Sequence, residues 1–528
     1  MLAQPIQKLL SEYRSAKANH EAPDASAVIH VDEVAFRIAR FYERVRNIID
    51  YQEEHLLRKR VIYRALQRRI IFESENRAIA ESLVKEIIRA GHLRNDAIPE
   101  AKLVEVQAIV DRLFGFLDAT SRTEAGVGKK LSQWLIQIFA SAVEECLDPP
   151  LEDRLLSEAM FETMRAKLAI KDIELSDADI NTQLFIAIQR TLLRVDDDQL
   201  AYRFLKFVYP DWDNPSAAES QMITDQLPTI YANINDHIRH PAAPYFFKLC
   251  NRYNTAFYLI GDCVFRHDDG LHSFEEVVAD HDQLHEAVAR AYTKRYTNER
   301  HHLTRLAFLS VLSLFISKVI IALAIEIPID KYVTDSYSSF YTMINILVPP
   351  ALMFIILSFI RLPSSKNFDI VLSAVRDALA DSSEETQYVV QVPKQRNPFV
   401  QQFMRGFYLL WSLALFSVLV VGLRALGFSI ASTAVFILFL CLIIATGVKV
   451  HNRSKEISME EDKATFLTLL YDLIAVPFAV VGKHVIAGLS RFQFLVMIVN
   501  FIDLPFQFFI DFVENLYSFV RSKRDQMF

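Results

Sequence analysis

Turn-making, crosslinking and metal-caging residues are scarce in this 528-residue chain, which has only 12 glycines and four cysteines. So few glycines leave little provision for tight turns and suit long helices. Cys146, Cys250, Cys263 and Cys441 form no CxxC pair. That excludes a zinc knuckle or disulfide framework and fits a reducing compartment for the bulk of the chain. "TEAGVGKK" (residues 123–130) lacks the GxxxxGK[ST] spacing of a phosphate loop, and no strand precedes it, so it reads as a linker. No serine, cysteine or acidic pair stands in a nucleophile or general-acid context, so no catalytic residue and no cofactor is expected. The opening "MLAQPIQKLLSEYRSAKANH" has no long apolar core, so the first 300 residues are expected to stay in the cytoplasm. Alternating strand patterns are missing too, which makes the fold class all-α.

What is present is segregated. The net charge is −7, yet charge concentrates in residues 1–300, while 304–450 and 464–520 are dominated by Leu, Ile, Val and Phe. This is the pattern of a helical domain joined to a membrane domain. Within the first part, Arg37 to Arg69 carries ten Lys/Arg against four Asp/Glu. No aromatic ladder or nucleic-acid motif accompanies this excess, so it reads as the solvated face of a long amphipathic helix, and no nucleic-acid partner is expected. The expected organisation is a flexible N-terminus over 1–30 and a cytoplasmic all-helical domain over 31–302. A transmembrane domain follows over 303–450, with a cytoplasmic loop at 362–405. Amphipathic membrane-interface helices close the chain over 464–528.

Four apolar stretches, 306–325, 340–360, 407–423 and 430–448, are each long enough to cross a hydrocarbon core of about 30 Å at 1.5 Å per residue. Their flanks orient them. Lys294, Arg295, Arg300 and Arg305 precede the first stretch, and six Lys/Arg lie between the second and third. The opposite side offers only Lys331 and Arg424. The positive-inside tendency places both termini in the cytoplasm.

Several stretches carry a resemblance. "YQEEHLLRKRVIYRAL", "QLFIAIQRTLLRVDDDQLAYRFLKFVYPDW", "FISKVIIALAIEIP" and the C-terminal run beginning "YDLIAVPFAVVGKHVIAGL" are similar to an uncharacterised family of predicted membrane proteins from Candidate Phyla Radiation bacteria. The resemblance spans roughly residues 36–525. It implies a bacterial inner-membrane protein and carries no activity with it.

Three groups of residues are candidates for a site. His281 and His285 share a helix face at i, i+4, a spacing that can hold a divalent metal but without the HExxH pattern, so an ordinary polar face is the expectation. Lys318 lies thirteen residues after Arg305 and eight before Glu326, inside an apolar run. A charge there is unfavourable by about 2.5–3.5 kcal/mol on insertion scales, so a partner is expected. Asp472 or Asp503 would supply a carboxylate, or a break at Pro349 and Pro350 beside Asn345 would expose carbonyls. Finally, Asn500, Asp503, Gln507, Asp511 and Glu514 recur at three- and four-residue steps, with Thr468, Asp472 and Lys483 forming a weaker stripe before them. Such stripes suit helices lying at the inner water–lipid boundary or packed on the bundle from that side; the alternative is a buried hairpin or a pair of further crossings. Taken together, the residues suggest an integral membrane protein with a scaffold or partner-recruiting helical domain. Its expected partners are the lipid bilayer, other proteins and a second copy of itself. The alternative is a small-solute or ion transporter using Lys318 and a broken second span; a third is an enzyme acting on lipid at the interface.

Overall fold

The computed structural model describes residues 2–20, 27–31, 54–72, 79–120, 125–171, 175–265, 272–332, 338–358, 365–380, 388–391, 398–454, 459 and 466–491. Nearly all of these are helical, and they fall into two compact units. One lies within residues 2–254 and takes in 388–391; the other lies within 255–380 and 398–491.

The first unit runs through α1 (Gln4–His20), α2 (Glu54–Phe72), α3 (Ala80–Arg89), α4 (Lys102–Thr120), α5 (Ala125–Leu147), α6 (Leu151–Ala166), β1 (Leu168–Lys171), α7 (Asp177–Leu192), α8 (Asp197–Val208), a 3₁₀ turn (Pro210–Asp213) and α9 (Ala217–Ile238). It ends in the first half of α10 (Ala243–Phe265). Helix α5 is its axis and packs against α2, α4 and α8. Leu135, Ile138, Phe139 and Val143 recur along one helical stripe and are all at most 1% exposed. Each such side chain contributes about 1.5–3 kcal/mol by leaving water. Local signals set the ends. Ser176 and Asp196 cap α7 and α8 by accepting from backbone N–H groups three residues on, and Ser216 with Glu219 closes a capping box on α9. Gly91 takes φ +79° just past α3, a conformation that disfavours any side chain bearing Cβ.

Four expectations are corrected by this unit. Residues 4–20 are a packed helix: Ile6, Leu9 and Leu10 are buried, α1 lies against α6, and Lys8 pairs with Glu162 at 2.7 Å. The supposed linker at 123–130 holds the start of α5, where Gly128 O accepts from Ser132 Oγ at 2.9 Å. A glycine costs about 1 kcal/mol in a helix, and packing of the long helix beyond it outweighs that. A short parallel strand pair also exists: β1 aligns with β2 (Tyr388–Gln391) in the register Leu168↔Tyr388. Four residues are too few for alternation to show in sequence, although Tyr388 and Val390 point inward and the ring of Tyr388 meets Tyr253 edge-on at 4.7 Å.

The basic stretch, of which 54–72 is described, departs furthest from expectation. Its face is buried and paired rather than solvated. Arg58 donates to Glu144 through Nε (3.0 Å) and Nη2 (2.7 Å), Lys59 is 1% exposed and bound to Asp196, and Arg68 and Arg69 both reach Glu86. Burial pushes the Glu144 carboxyl up to about 7 against the pull of Arg58, with Glu145 adding to the rise. That value lies above the ordinary carboxylate value, about 4.3, so the folded chain binds this proton more tightly than the unfolded chain does. The resulting stabilisation is whole below about pH 4 and is lost as pH rises through 7. Amide hydrogen exchange along α5 should therefore quicken between pH 5 and 8 beyond its intrinsic pH dependence, by roughly 2–3 kcal/mol of protection. Glu144→Gln should flatten that profile; an unchanged slope in the variant would refute the assignment.

The second unit continues α10 and adds α11 (His272–Ala279), α12 (His281–Ile321), a π-helical turn (Ala322–Glu326), α13 (Ile327–Tyr332), α14 (Ser339–Ser358), α15 (Ser365–Leu379), α16 (Pro398–Ala425), α17 (Ile430–Ser454) and α18 (Phe466–Arg491). It begins at residue 255, within α10. Helix α12 runs unbroken from a polar first half into the first apolar stretch, and its polar half packs within this unit. There Tyr292 OH receives Asn367 Nδ2 at 3.0 Å, and Asn367 Oδ1 accepts from Met459 N at 2.7 Å. Asn367 lies in the first turn of α15, inside what the sequence presents as a loop.

Among the described residues four helices are long and apolar enough to cross a membrane, within 281–332, 339–356, 402–425 and 430–451, matching the four expected stretches. Their outward side chains are apolar: Phe308, Leu323, Leu409 and Val418 are each more than 60% exposed, a surface that suits lipid and not water. Helix α18 packs on this group through Ala475, Phe478 and Gly482. Trp411 Nε1 donates to Leu473 O at 3.0 Å, and the Phe416 and Phe478 rings lie 4.7 Å apart. A Cβ on Gly482 would stand 2.1 Å from the Cys441 carbonyl oxygen, so only glycine permits this approach of α18 to α17. Asp472 and Lys483 are exposed on α18. The remaining stripe residues, Asn500, Asp503, Gln507, Asp511 and Glu514, lie outside the described residues.

Candidate functional site

Two places gather polar chemistry, one in each unit. In the second unit the starting point is the π turn. Eight residues of regular α-helix would set Glu326 about 80° round the axis from Lys318. The π turn absorbs one residue, so the effective separation is seven, within about 20° of the same face. The turn is marked by Ile327 N donating to Ala322 O, five residues back. Glu326 therefore meets Lys318, and Asp330, one turn further, continues the stripe. Lys318 is 0% and Glu326 1% exposed, the ammonium donates to Glu326 Oε1, and the ring of Phe439 lies 5.1 Å from Nζ.

Asn345 joins from α14. Its Nδ2 donates to Glu326 Oε2 (2.8 Å) and to Ser432 O (3.3 Å), and Ser432 Oγ donates to Asp330 Oδ2 at 2.9 Å. Lys318 thus finds the buried partner expected of it, but the partner is Glu326. Asp472 is exposed on α18, and Asp503 lies outside the described residues. Helix α14 runs through Pro349 and Pro350 without interruption, so the second span is not broken. Pro349 merely withholds the N–H that the Asn345 carbonyl would otherwise receive.

His281 and His285 do not converge on further ligands. Both are exposed, His285 meets the Phe368 ring edge-on at 5.5 Å, and among the described residues no group of three His, Cys, Asp or Glu is placed to hold a metal.

The first unit holds a cleft of about 960 Å³ that no sequence signal announces, because its walls come from five helices and the 3₁₀ turn. One wall is aromatic. Phe185 and Phe207 stack at 4.5 Å, Phe161 meets Phe207 at 6.3 Å, and Phe207 remains 41% exposed. Beside it runs a chain of satisfied ion pairs, with Arg203 and Lys206 on the same helix as Phe207. Arg203 Nε donates to Glu145 at 2.8 Å and its Nη1 to Gln189 at 2.9 Å. Lys206 pairs with Asp213 at 2.8 Å, and Tyr202 OH donates to the same carboxylate at 3.1 Å. Trp212, stacked on Phe116, anchors the turn that presents Asp213, and Arg112 donates to the Trp212 carbonyl at 2.7 Å. Burial pushes the Cys146 thiol, the cleft's one cysteine, up to about 11, so it is not a thiolate nucleophile at neutral pH. Such a cleft offers apolar contact and fixed charges of both signs.

No protein-family model, no characterised protein and no solved structure matches this chain.

Proposed function

We propose that this chain is a bacterial inner-membrane protein whose helical unit sits in the cytoplasm and recruits a partner protein through the cleft. The observation that carries this reading is the pairing of an exposed aromatic wall with a pre-organised ionic wall in one cleft of about 960 Å³. A volume of that order lies at the upper end of ordinary ligand pockets. It takes a few large side chains of a partner segment, with aromatic or aliphatic anchors against Phe207 and charged flanks against the Arg203–Glu145 and Lys206–Asp213 pairs. Transport past Lys318 is less well supported, since the ammonium is fully buried and taken by Glu326 and the second span is continuous.

The test places a photo-crosslinking amino acid at Val104, a cleft residue that is 74% exposed, and at Gln226 on α9 as control. One discrete protein adduct should form from Val104 in native membranes, be lost on adding Phe207→Asp, and be absent from Gln226. Identical adducts at both positions, or adducts to lipid alone, would overturn the reading. Orientation is checked separately: reporters at Ser336 and Ser382 should read external and cytoplasmic respectively, and the reverse would put the helical unit on the other side.

A further inference from the structure

We propose that the polar cluster among the membrane-spanning helices is a proton-binding site, in which Asp330 holds one proton. Hydrogen-bond donors and charge each require it. Lys318, Glu326, Asp330, Asn345 and Ser432 are all at most 5% exposed. The ammonium goes to Glu326 Oε1, Asn345 Nδ2 to Glu326 Oε2 and Ser432 O, and Ser432 Oγ to Asp330 Oδ2. Among the described residues no donor reaches Asp330 Oδ1 or Asn345 Oδ1, and both atoms are fully buried. The asparagine amide cannot be reversed, because the end facing the Glu326 carboxylate and the Ser432 carbonyl meets two acceptors and must carry the hydrogens. A proton on Asp330 turns one of these orphan acceptors into a donor.

Charge balance leads to the same proton. One ammonium stands against two carboxylates, leaving a net −1 among side chains at most 5% exposed, where an uncompensated charge is strongly disfavoured. A single proton on Asp330, taken from water with no bond broken in the protein, cancels the charge and supplies the missing donor together. Charged groups on the neighbouring elements do not remove the excess: Lys331 faces outward over the Tyr332 ring, Arg424 on α16 donates to Phe428 O, and Asp472 and Lys483 on α18 are exposed. A hard divalent cation would need about six oxygens, and only two are uncommitted. The neighbouring ammonium also disfavours a second full positive charge.

The experiment is infrared spectroscopy at pH 7 of the full chain in lipid nanodiscs, every chain carrying Glu144→Gln so that the buried carboxyl held near 7 in the first unit adds no band, alongside its unfolding midpoint in sodium and in choline at equal ionic strength. With Asp330 in place the spectrum should show the carbonyl stretch of a buried protonated carboxyl. Asp330→Asn should abolish that band and leave the midpoint unchanged, since its amide supplies the same hydrogen without the proton; Asp330→Ala should lower the midpoint. A chain with Asp330 in place and no band, its orphan oxygens met by water, would overturn the proposal. So would a midpoint raised by sodium and no longer raised in Asp330→Asn, which would make this a sodium site.

Discussion

Replacing Lys318 by methionine while Glu326 stays should destabilise the membrane unit by about 3–5 kcal/mol, because a carboxylate is left buried without its cation. The Lys318→Met/Glu326→Met double variant should recover most of that loss, since a buried ion pair exchanged for apolar side chains of similar volume is close to neutral. Chemical unfolding in detergent micelles, followed by helicity, reads both. An alternative in which Lys318 serves only a passing solute predicts a stable single variant with altered flux. Equal loss in the single and double variants would show that the pair itself is not what holds α12, α14 and α17 together.

Arg58→Met is the corresponding experiment in the first unit, and its effect should depend on pH. Arg58 holds Glu144 through two hydrogen bonds and reaches Asp148 at 2.5 Å, with Glu144 only 3% exposed. Its removal at pH 8 should cost about 3–5 kcal/mol. At pH 5.5 the loss should be smaller, because the carboxyl, already held near 7 by burial, is protonated there and tolerates an apolar neighbour. Denaturant midpoints of the full chain at the two pH values measure this. A loss independent of pH would mean that the guanidinium acts mainly through its packing and its bond to the His92 carbonyl at 3.4 Å.

These two pairs also mark where sequence reasoning stops. The four membrane-length helices are legible because a run of apolar residues has to be long to cross lipid, and the all-α class follows from the lack of alternation. That Lys318 needs a buried partner is legible too. The partner's identity is not, because spacing rules assume a regular helix, and the single π turn rotates Glu326 and Asp330 into line. The basic stretch misleads for a related reason. Arg58, Lys59, Arg68 and Arg69 meet carboxylates contributed by α3, α5 and the cap of α8, and nothing within the stretch reports charges that far along the chain. The cleft is hidden most completely, since Phe161, Phe185 and Phe207 belong to three helices and each alone reads as an ordinary core aromatic.

Helix α12 has a mechanical consequence. Its 41 residues form a rod about 60 Å long with no glycine or proline to act as a joint. Within its polar half, Asn367 clamps Tyr292; at its far end, the π turn carries Glu326. Between Tyr292 and the π turn the rod has no such joint, so a rotation of α12 about its axis moves the Tyr292 grip together with the base of the turn that carries Glu326; the π turn is the one place along this path where a displacement can be absorbed.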